Sequence, residues 1–267
     1  MARANALLRA LDGTVDAFGV GGIALHLYAG RRRYRVRDAA RMIRGVTRTP
    51  VVDGGALKES WERWMIAEYL PRHGISFKGT KVLLVPAVDR VGMTEAFLHA
   101  GADVMAGDLI FGLGLPLPVR SPVVGRVLAA ILVPIVSKVP YAALYPTGAR
   151  QEDITPRHQK YYAWADVIAG DFHYIRRHLP PDLQGKTIVT QTITAEDVEL
   201  LRLRRARRLI VDFPAMGGRS FATNVLQATV VAATGRRPEE ITPPQYVDLL
   251  LAAGMEPRVE LLAPALR

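Results

Sequence analysis

Only six of the 35 basic residues in this 267-residue chain are lysines, and one of them, Lys58, follows Asp53-Gly54-Gly55 at the start of a helix. A helix N-terminus disfavours a cation. In a chain that otherwise prefers arginine, a lysine there marks a group able to give up a proton. A solvated helix lysine is the plainer alternative. Asp89 is the second candidate. It lies in VPAVDRVG, between an expected strand and an expected helix, where a carboxylate either caps the helix or faces a ligand. His173, in GDFHY at another strand end, is open between a catalytic imidazole and a histidine without function. His173 and His178 are five residues apart and share no helix face, so no metal pair is expected. The absence of cysteine excludes disulfides, zinc-thiolate sites and a thiol nucleophile. No HExxH, phosphate-loop or G-x-S-x-G pattern is present.

The elements that must hold these residues are organised around Lys81–Asp108, which reads as one β-α-β unit. Lys81–Pro86 is a short apolar run with strand length. Gly92–Ala100 has helical spacing, with Met93, Ala96, Phe97 and Ala100 on one face. Gly101 ends that helix and Ala102–Gly107 forms the next strand. Further strands are expected at Val15–Val20, Asp166–Ala169, Lys186–Thr190 and Leu209–Asp212, with a loop at Tyr145–Gly148 and a helix after Thr194 capped by Thr194 and Asp197. Helices are also expected at Ala39–Arg44 with Asp38 as N-cap, at Leu57–Leu70, from Thr155-Pro156 to Trp164, at Val225–Ala233 and from Thr242 to Ala253. The alternation predicts an α/β chain. Its main part is a doubly wound, Rossmann-like sheet of about five parallel strands, residues 78–267, preceded by a smaller α/β lobe, residues 1–77.

Ligands of such sheets bind beyond the carboxyl ends of the strands. That rule collects Asp89, Arg90, Asp108, Asp171, His173, Thr190 to Thr192, Asp212 and Arg219 to Asn224. With their neighbours, Ala87, Arg90, Gly92, Asp108, Thr190 and Thr192 are expected as cofactor contacts, and Asp53, Asp171, Arg219 and Asn224 as substrate contacts. Asp108 stands about 20 residues after the first strand-helix turn, where a carboxylate binds a ribose diol. A carboxylate there rejects a 2′-phosphate, which favours NAD over NADP. The same contact suits S-adenosylmethionine, which has no phosphate to be repelled by Asp89. A dinucleotide fingerprint would place glycines where this chain has Ala87, Asp89 and Gly92, and only the third is kept. Gly19 to Ala24 matches G-x-G-x-x-A by letters, but the alternating residues after it predict a hairpin rather than the helix a phosphate needs.

Apolar content of 49% with 22% charged residues describes a folded chain with a real core. The net charge of +10 gathers in Arg31–Arg37 and Arg202–Arg208, without any helix-turn-helix, aromatic RNA-binding strand or zinc-finger spacing, so a solvated surface is preferred to a nucleic-acid site. Val127–Val136 is the most apolar run. It is far shorter than a membrane span and predicts a buried helix, broken or kinked at Pro134, or a subunit interface, hence a homodimer. The N-terminus lacks a signal-peptide pattern, and the expected compartment is the cytoplasm, with no membrane partner.

PVVDGGALK, LLVPAVDRVGMTEA, ADVIAGDFHYIRRHLP and GRSFATNV together resemble bacterial and archaeal proteins labelled quinate 5-dehydrogenase, over about Val15 to Val259. Through the quinate and shikimate dehydrogenases, the resemblance implies a Lys–Asp dyad between a substrate lobe and a nucleotide lobe. Lys58 would accept the alcohol proton as hydride leaves for the nicotinamide, and Asp89, in VDRVG, would orient the ammonium. The glycine-rich cofactor loop of those enzymes is absent here. A pyridinol C-methyltransferase with a dehydrogenase-like fold resembles the same scaffold and implies S-adenosylmethionine as the alternative cofactor. A non-catalytic nucleotide- or polyanion-binding protein is a third expectation, from the arginine clusters.

Overall fold

The computed structural model describes residues 1–30, 32–140, 154–216 and 219–262, with only the backbone of Met216 and Arg219. At its centre, β5 (Lys81–Val85), β6 (Asp103–Ala106), β7 (Val167–Gly170), β8 (Thr187–Thr190) and β9 (Arg208–Val211) run parallel, and β12 (Arg258–Leu261) closes one edge antiparallel to β9. The spatial order is β6-β5-β7-β8-β9-β12, and the short antiparallel pair β10 (Ala215–Met216) and β11 (Arg219–Ser220) forms a separate sheet. The direction of winding reverses between β5 and β7, and that reversal opens a crevice at their carboxyl ends.

Both faces of the sheet are buried, and the alternation along each strand shows why. Leu83, Val85, Ile168, Ile188 and Leu209 point to one side, against the helices Gln159–Trp164, Phe172–Arg177 and Ala195–Leu203. Val82, Leu84, Val104, Ala169, Val189 and Ile210 point to the other, against Val91–His99 and the long helical segment that begins at Gly55. That segment runs as α-helix over Gly55–Trp64, widens to a π-turn over Met65–Tyr69 and ends at Arg72. It packs against both Val91–His99 and Pro243–Ala252, with Leu57 and Trp61 in one core and Met65, Ile66 and Leu70 in the next.

Before Gly55 lies a small layer of its own. The helix Ala2–Ala10, the parallel pair β1 (Phe18–Gly19) and β4 (Val51–Val52), the hairpin β2 (His26–Ala29) and β3 (Arg32–Arg35), and the helix Arg37–Met42 enclose Val20, Ile23, Leu25, Val36, Ala39 and Met42. The Asp12 carboxylate accepts the backbone N–H groups of Thr47, Arg48 and Thr49, which hold its pKa down at about 2.

Several sequence expectations need correction. Asp38 is not an N-cap but lies in the first turn of its helix, beside Arg37 and Arg41. The strand expected at Val15–Val20 is only Phe18–Gly19, because its partner offers just Val51 and Val52. The helix expected from Thr155 starts at Gln159, after His158 in a left-handed conformation. The helix Pro122–Val136 is neither buried nor broken: it continues through Pro134, and among its residues only Val133 is buried. The loop expected at Tyr145–Gly148 lies outside the described residues. Among the described residues no helix is long and apolar enough to cross a membrane.

Candidate active site

The crevice between β5 and β7 opens into a cavity of about 740 Å³. One wall is polar and comes from the strand ends and the first layer: Asp53, Lys58, Asp89, Asp108, Asp171 and Asn224. The other is aliphatic and comes from the helix Pro122–Val136 and the segment before it, including Leu109, Leu113, Leu128 and Leu132.

Lys58 and Asp89 meet at the polar wall, Nζ to Oδ2, at 2.8 Å, with their side chains 16% and 15% exposed. Two backbone features place them. Gly54 holds φ +85°, and a Cβ there would lie 2.4 Å from Thr223 Oγ1, so the helix carrying Lys58 can start this close to residue 223 only with glycine. Gly92 does the same on the other side. A Cβ on Gly92 would lie 2.7 Å from the carbonyl oxygens of both Lys58 and Glu59, so the two helices touch backbone to backbone. Gly92 therefore acts through packing and does not line the cavity. Asp89 does not cap its helix, whose N-cap residue is Arg90.

One helical turn behind Lys58, Glu62 pairs with Arg90, both with side chains at 0% exposure. Arg90 is thus a buried structural cation, and the expectation that it touches a cofactor does not match its place. Asp212, also fully buried, has no hydrogen-bond partner on either carboxylate oxygen, and Glu62 Oε2 has none either. Burial and the Glu62 charge push the Asp212 carboxyl well above the usual range, which favours a protonated Asp212 beside Glu62. The cluster then balances, with Lys58 and Arg90 against Asp89 and Glu62 and a neutral Asp212.

Burial alone would lower the Lys58 pKa, but the adjacent Asp89 carboxylate outweighs it and the net shift is upward. Burial alone would raise Asp89, but Lys58 and Arg90 outweigh it and the net shift is downward. The resting pair is therefore ammonium and carboxylate. In that state Lys58 is a proton donor, and it turns into a base only after it has given a proton away.

Asp108 lines the cavity, but its carboxylate accepts the backbone N–H groups of Ala87, at 3.1 Å, and Val88, at 2.9 Å. Burial raises its pKa while these amides hold it back. The amides of the β5–helix turn are those that would cradle a pyrophosphate in a dinucleotide site. Here a carboxylate already fills them, Asp89 adds a second negative charge, and two of the three glycines are missing. The pyrophosphate of a nicotinamide dinucleotide does not fit on this turn.

The remaining expected residues divide. Ala87, Asp53, Asp171, His173, Thr192 and Asn224 line the cavity. Asp53 accepts Leu25 N–H at 2.6 Å and Gly55 N–H at 2.9 Å, which ties the hairpin to the start of the Lys58 helix. Asp171 caps the helix Phe172–Arg177 by accepting the His173 N–H at 2.9 Å, and leaves the His173 ring exposed at the rim. Asn224 Nδ2 donates to the Gly19 carbonyl at 3.3 Å. Thr190 is fully buried, donates to the Gly170 carbonyl at 2.8 Å and does not reach the cavity. The Arg219 side chain lies outside the described residues. Gly21 and Gly22 line the cavity ahead of a hairpin, not a phosphate-binding helix.

Sequence reasoning missed Glu62, and it collected Gln191 at a strand end without assigning it a contact. Glu62 is four residues after Lys58, so the shared helix face was a usable signal. Gln191, at the end of β8, is buried against the cavity with Oε1 unpartnered, and is placed to receive a ligand donor.

Residues 1–53 match the family described as Domain of unknown function (DUF8753), and residues 56–262 match that described as Domain of unknown function (DUF8754). The two meet just before the helix that carries Lys58. No curated protein and no solved structure matches the chain. With more than half of its length matched by one family, the chain belongs to the DUF8754 family.

Proposed function

We propose that the chain is an enzyme of the oxidoreductase kind, interconverting a carbonyl and a secondary alcohol on a small molecule, with Lys58 as the proton-exchanging group. The Lys58–Asp89 pair, standing at the switch point of the sheet and facing the cavity, carries this reading. The quinate dehydrogenase resemblance gives the same two residues the same partnership. Because Asp89 keeps Lys58 protonated, the resting site is set for the reducing direction: the carbonyl oxygen would take the Lys58 proton as its carbon takes a hydride, one proton with two electrons, from a reduced nicotinamide whose pyrophosphate lies off the β5–helix turn. Asp89 orients the amine and, by its charge, favours the return of a proton to it from solvent. Gln191 and Asn224 offer hydrogen bonds to the rest of the polar head. The cysteine-free chain suits a reducing compartment such as the cytoplasm.

A second reading, S-adenosylmethionine-dependent methyl transfer, is favoured by one observation. Asp108 fills the turn where a dinucleotide needs its phosphates, and S-adenosylmethionine brings none. Calorimetric titration with NAD, NADP and S-adenosylmethionine, each on wild type and on Lys58→Met, tests both. Saturable NAD or NADP binding, with carbonyl reduction lost in Lys58→Met, supports the first reading. Binding of S-adenosylmethionine alone overturns it in favour of the second. Reduction that persists in Lys58→Met removes Lys58 from either mechanism.

A further inference from the structure

The helix Pro122–Val136 separates the cavity from solvent and is aliphatic on both sides, with Arg126 its one charged residue. Inward, Gly125, Leu128, Ala129 and Leu132 line the cavity. Outward, Val123, Val127, Ile131 and Ile135 recur every four residues as one stripe, and each is more than half exposed. Leu113, Leu115 and Leu117, in the segment leading to the helix, are exposed as well, as is Val124. Eight of the nineteen exposed large hydrophobic residues among those described fall between 113 and 135. Scattered apolar residues need no explanation, whereas such a concentration marks an interaction surface.

We infer that this stripe docks on an anionic membrane surface, and that the cavity beneath it takes from that surface a substrate with a long apolar body and a carbonyl or hydroxyl head. The substrate assignment rests on the function proposed above; the docking does not. Charge selects the occupant. Lys138, just after the helix, is exposed, and Arg126 within it is exposed at the rim of the cavity it helps to line. The hairpin bearing exposed Arg32, Arg33 and Arg35 packs beside the helix, and Arg37 donates its backbone N–H to the Ser137 carbonyl at 2.9 Å. A second copy placed on the stripe by two-fold symmetry would set these cations against their equivalents. Nucleic acid would satisfy the cations but leave the aliphatic stripe in water. Anionic headgroups over acyl chains match both. Fifteen residues of helix span about 22 Å, short of a hydrocarbon core of about 30 Å, so the helix lies along the surface and does not cross it.

The test is co-sedimentation with vesicles of phosphatidylcholine and, separately, of phosphatidylglycerol, for wild type, Val127→Glu/Ile131→Glu and Lys58→Met. Wild type should pellet with phosphatidylglycerol and stay in solution with phosphatidylcholine. The double variant, whose changes are on exposed positions and whose fold is checked by circular dichroism, should bind roughly tenfold more weakly. Wild type that stays in solution with both lipids overturns the docking, as does a double variant that binds as well as wild type. A wild-type dimer in sedimentation velocity, made monomeric by Val127→Glu/Ile131→Glu and indifferent to vesicles, assigns the stripe to a second copy and overturns it too. Lys58→Met should bind vesicles like wild type, so loss of the proposed chemistry and loss of docking are told apart.

Discussion

Two ion pairs sit one helical turn apart on the same helix and do different work. Glu62–Arg90 is wholly shut away from water, and Lys58–Asp89 opens on the cavity. The inner pair cannot meet a ligand. Its contribution is to fix the β5–helix turn against the Gly55–Trp64 helix, and removing one partner would strand a charge in the core. The outer pair has one side held by protein and the other open to the cavity, where the proposed substrate oxygen would sit. The difference teaches that burial, more than charge, divides the pair that only supports the fold from the pair proposed to react.

Four changes test that division, in order of expected effect on stability. Glu62→Ala should cost about 3–5 kcal/mol in chemical denaturation, because Arg90 stays charged and loses its partner. Gly92→Ala should cost about 1–3 kcal/mol, since its methyl group meets two carbonyl oxygens of the facing helix, and turnover should fall with it as Lys58 is pushed from Asp89. Lys58→Met should cost about 1–2 kcal/mol, because Asp89 keeps Arg90 nearby, yet should lower turnover by about 10²- to 10⁴-fold. Equal losses of stability from Glu62→Ala and Lys58→Met would erase the distinction between the pairs.

Asp212→Asn should change stability least at neutral pH, within about 1 kcal/mol, because an amide copies the protonated acid. Its effect is on pH dependence. The folded Asp212 pKa lies above the unfolded one, so its contribution is full below the ordinary carboxylate range and is lost as pH rises through the raised folded value. Wild type should therefore lose stability toward alkaline pH, and Asp212→Asn should lose less. Thermal melts across pH read this directly.

The five parallel strands were legible because each is a short, nearly continuous apolar run between turn residues, and because Thr194 and Asp197 form the expected reciprocal cap. Strand β12 was not. Arg258-Val259-Glu260-Leu261 alternates charge with aliphatic residues, and only its pairing with β9 and the Arg202–Glu260 ion pair make it a strand. The helix Pro122–Val136 misled for the opposite reason: uniform apolar composition implies burial, yet here one face lines a cavity and the other faces solvent. In the site, Lys58 and Asp89 were each visible by type and place, but what joins them is Gly92 packing backbone to backbone, a contact no spacing encodes. Asp108 was rightly located at the end of β6. That its carboxylate would turn back to the Ala87 and Val88 amides depends on the loop path, which the sequence leaves open.

The most direct test of the central claim is a ¹⁵N-lysine Nζ titration, with only six lysines to resolve, on wild type and Asp89→Asn. The Lys58 signal should titrate above the ordinary lysine range in wild type and fall below it in Asp89→Asn, where burial acts without its counter-charge. A Lys58 that titrates like the exposed lysines, or that ignores the loss of the Asp89 charge, would contradict a paired proton donor at the cavity wall.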